Sequence, residues 1–355
     1  MQPVIDFHTH VDPRYADLAV EALDRCGISW SVVLAWHDGF GAGVQRYTDA
    51  FAPYPGRFVL FGNVDFSRIN EPGFGRMAAA QLEEDSRVGV RGLKVYKSLG
   101  LTYRKPDGSL WRVNDPELDP IWEKAGVLSL PVLIHTADPL PFWEPVNEDN
   151  FWNGVLHGEY DWWSYYRKGL PSAQELLAER NEMIARHPGT QFIAPHLGGK
   201  DDLLEEAATD LARYANLHYD ISARIPDLGR SVRRAARAKE FFATFADRIL
   251  FGTDAIYDDT NVPTGQQAQI LYQPGEIPLN GSDPRSHYVA TTVDFFQSHL
   301  DFLLTDKIQY NPPFRRTLQP LQIHGLGLDE NVADQILRTN AARLLPPLKV
   351  ETPQG

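Results

Sequence analysis

The chain has 355 residues, 43% hydrophobic and 23% charged, which is ordinary usage for a globular protein and excludes a mostly disordered or collagen-like one. A formal net charge of -13 leaves no basic surplus to neutralise phosphates, which argues against nucleic acid as a partner. A single cysteine, Cys26, excludes an internal disulfide or a zinc ribbon, and no run of about 18 apolar residues offers a transmembrane helix.

The first β-like run is Val4–His8. No basic or apolar leader pattern precedes it, so a cytoplasmic location is expected. Seven further runs follow: Ser31–Trp36, Arg57–Asp65, Val90–Tyr96, Pro131–Thr136, Gln191–His196, Leu217–Ser222 and Ile249–Asp254. Between them lie segments with apolar residues at helical spacing, such as Leu18–Leu23, Met77–Leu82, Leu176–Ile184 and Leu203–Leu211. Ser172 with Glu175 three residues later has the capping-box spacing for a helix start. Strand and helix in alternation imply a parallel sheet under helices, and eight repeats imply a (β/α)8 TIM barrel of the α/β class. No glycine-rich dinucleotide turn follows the first strand, and no phosphate loop occurs. The whole chain, 1–355, reads as one domain.

Three connections are too long for simple turns: Ser98–Asn114 after strand 4, Ala137–Leu170 after strand 5, and Ala255 to about Val289 after strand 8. In a barrel all three sit on the carboxyl-terminal face, where such folds carry their chemistry. The second holds Trp143, Trp152, Trp162 and Trp163 with Tyr160, Tyr165 and Tyr166. That aromatic content is foreign to disordered segments, so residues 137–170 are expected to form a packed lid or an oligomer contact.

Chemistry concentrates at strand ends. His8 and His10 are two apart in a strand, so both face one side, roughly 6–7 Å apart at the backbone, and can converge on one ion. Strand 5 ends in His135, strand 6 in Pro195-His196-Leu197-Gly198-Gly199 and strand 8 in Gly252-Thr253-Asp254. Four apolar strands that each deliver a histidine or aspartate at the carboxyl end are what a barrel-top metal site needs.

The ordered set His8-Thr9-His10, His135, His196 and Gly252-Thr253-Asp254 resembles the amidohydrolase superfamily. Gly92-Leu93-Lys94, Pro195-His196-Leu197-Gly198-Gly199 and the terminal Asn340-Ala341-Ala342-Arg343-Leu344-Leu345 are similar to its amidohydrolase-related branch, which includes aminocarboxymuconate-semialdehyde decarboxylase and hydrolases alongside. The resemblance implies one divalent metal, zinc by its donor set, held by His8, His10, His135 and Asp254. It implies that Asp254 also exchanges a proton with the metal's water, and that His196 polarises or protonates the substrate. In binuclear members a carbamylated lysine bridges two metals, and Lys94 is the residue for that role here. The branch is typically mononuclear and Lys94 comes early for a rim ligand, so the expectation is one ion, with Lys94 a buried lysine paired with a carboxylate such as Asp6. A homodimer is the assembly implied.

Arg224 after strand 7 and Lys97 after strand 4 are cations placed to grip a substrate carboxylate. Tyr96 shares a strand face with Lys94, His37 follows strand 2, and both are expected to face a small-molecule substrate. Asp220 and Ser222 share one face of strand 7 and are expected to line the barrel or orient His196. Hydrolysis of a C–N or C–O bond is the first expectation, because the histidine–aspartate set suffices for it. Nonoxidative decarboxylation of an aromatic or unsaturated carboxylic acid is the alternative, since it uses the same site design.

Overall fold

The computed structural model describes residues 4–157, 162–264, 281–310, 312 and 320–345. Eight parallel strands follow one another around the sheet: β1 (Val4–Val11), β2 (Ile28–Leu34), β3 (Phe58–Gly62), β4 (Gly92–Val95), β5 (Val132–Ile134), β6 (Phe192–Ala194), β7 (Leu217–Asp220) and β8 (Ile249–Leu250). A short ninth segment, β9 (Ala255–Tyr257), pairs with β1 through Thr9, His10 and Val11. The amide of Phe7 donates to the Phe251 carbonyl at 2.8 Å, and that of Asp254 donates to the His8 carbonyl at 2.8 Å. These bonds join first strand to last, so the sheet closes into the expected barrel.

A principal helix follows each strand: α1 (Ala16–Cys26), α2 (Ala42–Phe51), α3 (Phe74–Arg87), α4 (Asp119–Val127), α5 (Ala173–Arg186), α6 (Leu204–Arg213), α7 (Val232–Thr244) and α8 (Pro284–Leu304). Local chemistry sets their starts. Ser172 accepts the Glu175 amide while the Glu175 carboxylate accepts from Ser172, which completes the capping box of α5. Asp283 caps α8 by accepting the Ser286 amide. Among the described residues no helix is long and apolar enough to cross a membrane.

Alternate strand residues divide the core. Val33 and Leu60 belong to the large apolar layer under the helices, whereas Val32, Leu34, Val59 and Phe61 join Ile5, Phe7, Leu133, Ile193 and Leu250 inside the barrel. Phe7 meets Phe61 edge to face across this interior at 5.7 Å, and Ala341 and Leu345 pack against the same cluster. The barrel is therefore plugged at its floor, which leaves its carboxyl end as the place for a cavity.

The eighth strand differs from the continuous Ile249–Asp254 that its sequence suggests. It breaks after Leu250 and resumes at Ala255, because Asp254 takes a left-handed backbone (φ 69°) and Thr253 turns to bond Asp6. In the loop after strand 4, Ser98–Leu101 makes a kinked turn in which Leu99 and Gly100 leave the helical conformation, and Arg104 bridges Leu110. Helix α8 starts at Pro284, earlier than the end expected for the third long connection. Residues 265–280 of that connection, and Tyr160 of the second, lie outside the described residues.

Candidate metal centre

The pairing of β1 with β2 shifts register between Asp6 and Thr9. Around this irregularity Phe7 joins the interior, while His8 and His10 line the cavity at the barrel mouth, their ring centres 5.5 Å apart. Gly252 permits the approach of the last strand, since a Cβ there would come within 2.8 Å of the His8 Cβ. The left-handed turn at Asp254 then brings its Oδ1 to 3.3 Å from His8 Nε2 and 3.4 Å from His10 Nε2. Donor atoms of these three residues lie within 4.8 Å of one another, a spacing that one cation can span. His135, at the end of β5, and His196, at the end of β6, stand on the same cavity with ring centres 4.6 Å apart.

Each imidazole is aimed from behind. His10 Nδ1 donates to the Leu34 carbonyl at 2.9 Å and His196 Nδ1 to the Ser222 carbonyl at 2.9 Å. A carbonyl only accepts, so Nδ1 carries the hydrogen and Nε2 is left with its lone pair. His8 Nδ1 donates to Asp220 Oδ2 at 2.8 Å, and the other oxygen of Asp220 accepts the His196 amide at 2.9 Å. Asp220 and Ser222 thus orient both histidines, with the Ser222 hydroxyl donating to Asp220 Oδ1 at 2.5 Å. His8 Nε2 and His135 Nε2 are buried and form no hydrogen bond. Inward lone pairs held by outer carboxylates and carbonyls are the donor set of a divalent-cation site, and the residues fit such an ion.

Burial and neighbouring carboxylates set the charges of these groups differently. Burial opposes a protonated His8, but Asp220 and Asp254 outweigh it and push the ring up to about 9. Burial outweighs the pull of Asp138 at His135, which falls to about 4, and burial also takes His196 well below the usual histidine range. Burial works against ionised Asp254, yet His8, His10 and His196 hold its carboxyl well below the ordinary range.

The cavity measures about 160 Å³, and Trp36, Tyr96, Phe142, Trp152 and Trp163 are among the residues that line it. Trp36 stacks on His10 at 4.2 Å. Phe142, Trp152 and Trp163 come from the 137–170 connection, where Phe142 and Trp152 pack with Val155 and Leu156 in a small apolar cluster of their own. Lys94, Lys97 and Arg224 also line the space. The Lys97 ammonium is bonded to Asp138 and lies 4.5 Å from the Trp163 ring centre. Arg224 reaches Asp201 at 3.6 Å and lies over Trp152 at 5.1 Å.

Two expectations need correction. Lys94 does not pair with Asp6, because that carboxylate accepts from the Thr253 hydroxyl at 2.6 Å and from the His8 and Thr253 amides. His37 does not line the metal cavity. It stacks on the outside of Tyr96 at 4.3 Å and faces a separate surface cavity with Asp38, Arg46 and Arg68. Sequence reasoning also passed over Asp138. It lies three residues after His135, with its Oδ1 3.5 Å from His135 Nε2 and its Oδ2 accepting from Lys97 and, at 2.6 Å, from the Tyr165 hydroxyl. The His135-x-x-Asp138 spacing was the available signal.

A sequence model described as "Amidohydrolase" matches residues 5–346. No curated protein sequence matches the chain. Among solved structures, the chain is similar to 2,6-dihydroxybenzoate decarboxylase from Rhizobium, with 17% identity over 97% of this chain and 99% of that one and a TM-score of 0.53. It is similar to dihydroxybenzoic acid decarboxylase from Polaromonas sp. JS666, solved with manganese and 2-nitroresorcinol, at 15% identity over 97% of each chain and a TM-score of 0.54. It is also similar to 4-oxalomesaconate hydratase from Rhodopseudomonas palustris, at 12% identity over 97% of this chain and 95% of that one and a TM-score of 0.51. At these identities the likeness is one of fold.

Proposed function

The chain belongs to the amidohydrolase family and is an enzyme of that fold; from this premise we propose that it is a metal-dependent, nonoxidative decarboxylase of a small planar carboxylic acid. The observation that carries the reading is the size and lining of the cavity. About 160 Å³ with aromatic walls, as bounded by the described residues, suits one ring with a few substituents. Three cations in the walls favour an anionic ligand. The similar solved structures include enzymes named for dihydroxybenzoates, which agrees with that chemistry.

His8, His10, His135 and Asp254 are the residues that would hold the ion, zinc by its three imidazoles and one carboxylate. When bound, a divalent metal supplies concentrated positive charge that polarises a carboxylate or carbonyl oxygen. The chain's own residues do the rest. Trp36 and Tyr96 stack the ring and Trp152 and Trp163 exclude water. Asp254 Oδ1 and His196 Nε2 stand at the cavity and relay a proton from solvent to the reacting carbon, so that one C–C bond breaks as one C–H bond forms and carbon dioxide leaves. Arg224, Lys97 and Tyr96 are the substrate-facing residues of this reading, and His37 contributes only by backing Tyr96.

Ring-opening hydrolysis of a cyclic ester or amide is the second reading. It is favoured by Asp254 lying beside both His8 and His10, where it can accept a proton from water. A panel of hydroxybenzoic acids and aryl lactones separates the two. Release of carbon dioxide with the matching arene, lost on chelation and restored by zinc, supports decarboxylation. Lactone opening without carbon dioxide from any acid replaces it with hydrolysis.

A further inference from the structure

Of the three cations in the cavity wall, two are already matched. Lys97 is bonded to Asp138, whose second partner is the Tyr165 hydroxyl. Arg224 has Asp201 within ion-pair distance at 3.6 Å, with no hydrogen bond between them, and donates to the Ala223 carbonyl at 3.0 Å. Lys94 is different. It points into the cavity from the middle of β4 and is 2% exposed, yet its ammonium forms no hydrogen bond or ion pair among the described residues. Its ammonium lies over the face of Tyr96, 4.9 Å from the ring centre. Tyr96 is itself held by donating to the Ala35 carbonyl at 2.8 Å.

The nearby carboxylates are occupied. Asp6 is bonded to Thr253, Asp220 to His8, and Asp254 faces the two histidine rings of β1. An enclosed ammonium without a hydrogen-bonding anion is costly, and a fold that keeps one reserves it for a ligand.

We propose that Lys94 is the cation that receives the substrate's carboxylate, at the floor of the cavity beside the metal ligands. Lys97 and Arg224, each set by its own aspartate, then shape the wall rather than grip the acid. This assignment rests on the small-planar-acid reading above and deepens it: the charged group enters first and deepest, and the ring stays between Trp36 and the lid aromatics.

The test uses the metal-loaded protein and two probes of one shape, benzoate and benzamide, titrated against tryptophan fluorescence, which Trp36, Trp152 and Trp163 make sensitive to occupancy. Lys94→Met and Lys94→Gln are expected to weaken benzoate at least tenfold and benzamide less than threefold. Lys97→Met and Arg224→Met are expected to weaken benzoate less than Lys94→Met does. Lys94→Met is also expected to melt no lower than the parent protein, because it removes an unmatched buried charge. Benzoate affinity unchanged in both Lys94 variants, or equal losses for the two probes, would overturn the assignment while leaving the acid reading intact. A carbamate resonance on Lys94 after incubation with 13C-bicarbonate would overturn it in favour of a metal bridge. A parent protein that binds benzoate no better than benzamide would sink both readings together.

Discussion

His8 and His218 are both buried histidines on barrel strands, one near the carboxyl end of β1 and one near the amino end of β7. Burial disfavours the charged ring at each. At His8 two carboxylates reverse that effect and push the ring up to about 9. At His218 burial acts together with Arg248 and Arg343, and the ring falls to about 3. The backbone differs in the same way. His196, Leu197, Ala223 and Asp254 all take left-handed conformations around the mouth, at a cost of order 1–3 kcal/mol each. At the floor, by contrast, Asn340 Nδ2 donates to the carbonyls of Ala246 and Ile249 at 2.7 Å, and Arg248 donates to the carbonyl of Tyr214 at 2.6 Å. The mouth concentrates left-handed residues and unlike charges around open nitrogens, whereas the floor, apart from the left-handed Ser129 ahead of β5, ties off loose backbone.

The contrast can be broken most sharply at Asp254. Asp254→Asn is expected to cut turnover by about a thousandfold, within the span of general acid–base effects, while circular dichroism and melting stay close to the parent. A variant that keeps its rate would remove the mouth's claim to chemistry. Asp220→Asn comes next. It leaves the direct donors in place but loosens His8 and His196, so competition with a chelator should show roughly ten- to hundredfold weaker metal retention. Unchanged retention would mean that the rings need no backing.

At the floor the expected readout is stability. Asn340→Ala strands two buried carbonyls and should lose about 2–3 kcal/mol in denaturant unfolding, with metal content unaltered. The smallest effect concerns acid. Between 6.5 and about 3 the unfolded chain protonates His218 while the folded one does not, so this group takes stability away as pH falls through that window. His218→Gln should therefore flatten the melting temperature against pH between 6 and 4. An unchanged slope would assign the acid loss to other groups.

The two ends were not equally legible from sequence. Apolar runs that stop at His135, His196 and Asp254 declare both the strand and its ionisable end, because period-two burial and a terminal ionisable residue are local patterns. The clustering of His8, His10 and Asp254 follows once the barrel closes. The break in the last strand is not written locally, since it depends on Thr253 meeting Asp6, 247 residues away in sequence. The 137–170 connection was visible only as composition: nine aromatic residues signal packing, but no periodicity says that Phe142, Trp152 and Trp163 are the three that reach the cavity. Asp6 looked available to Lys94 because pairing of charges is easier to foresee than a hydroxyl and two amides taking the carboxylate first.

The gap between Leu250 and Ala255 has a mechanical side. It falls where the first and last strands of the cylinder are stitched together, and His8, His10 and Asp254 straddle that stitch. An ion gripped by all three would act as a rivet through the seam, so that prying the cylinder open and letting the ion escape become one and the same event.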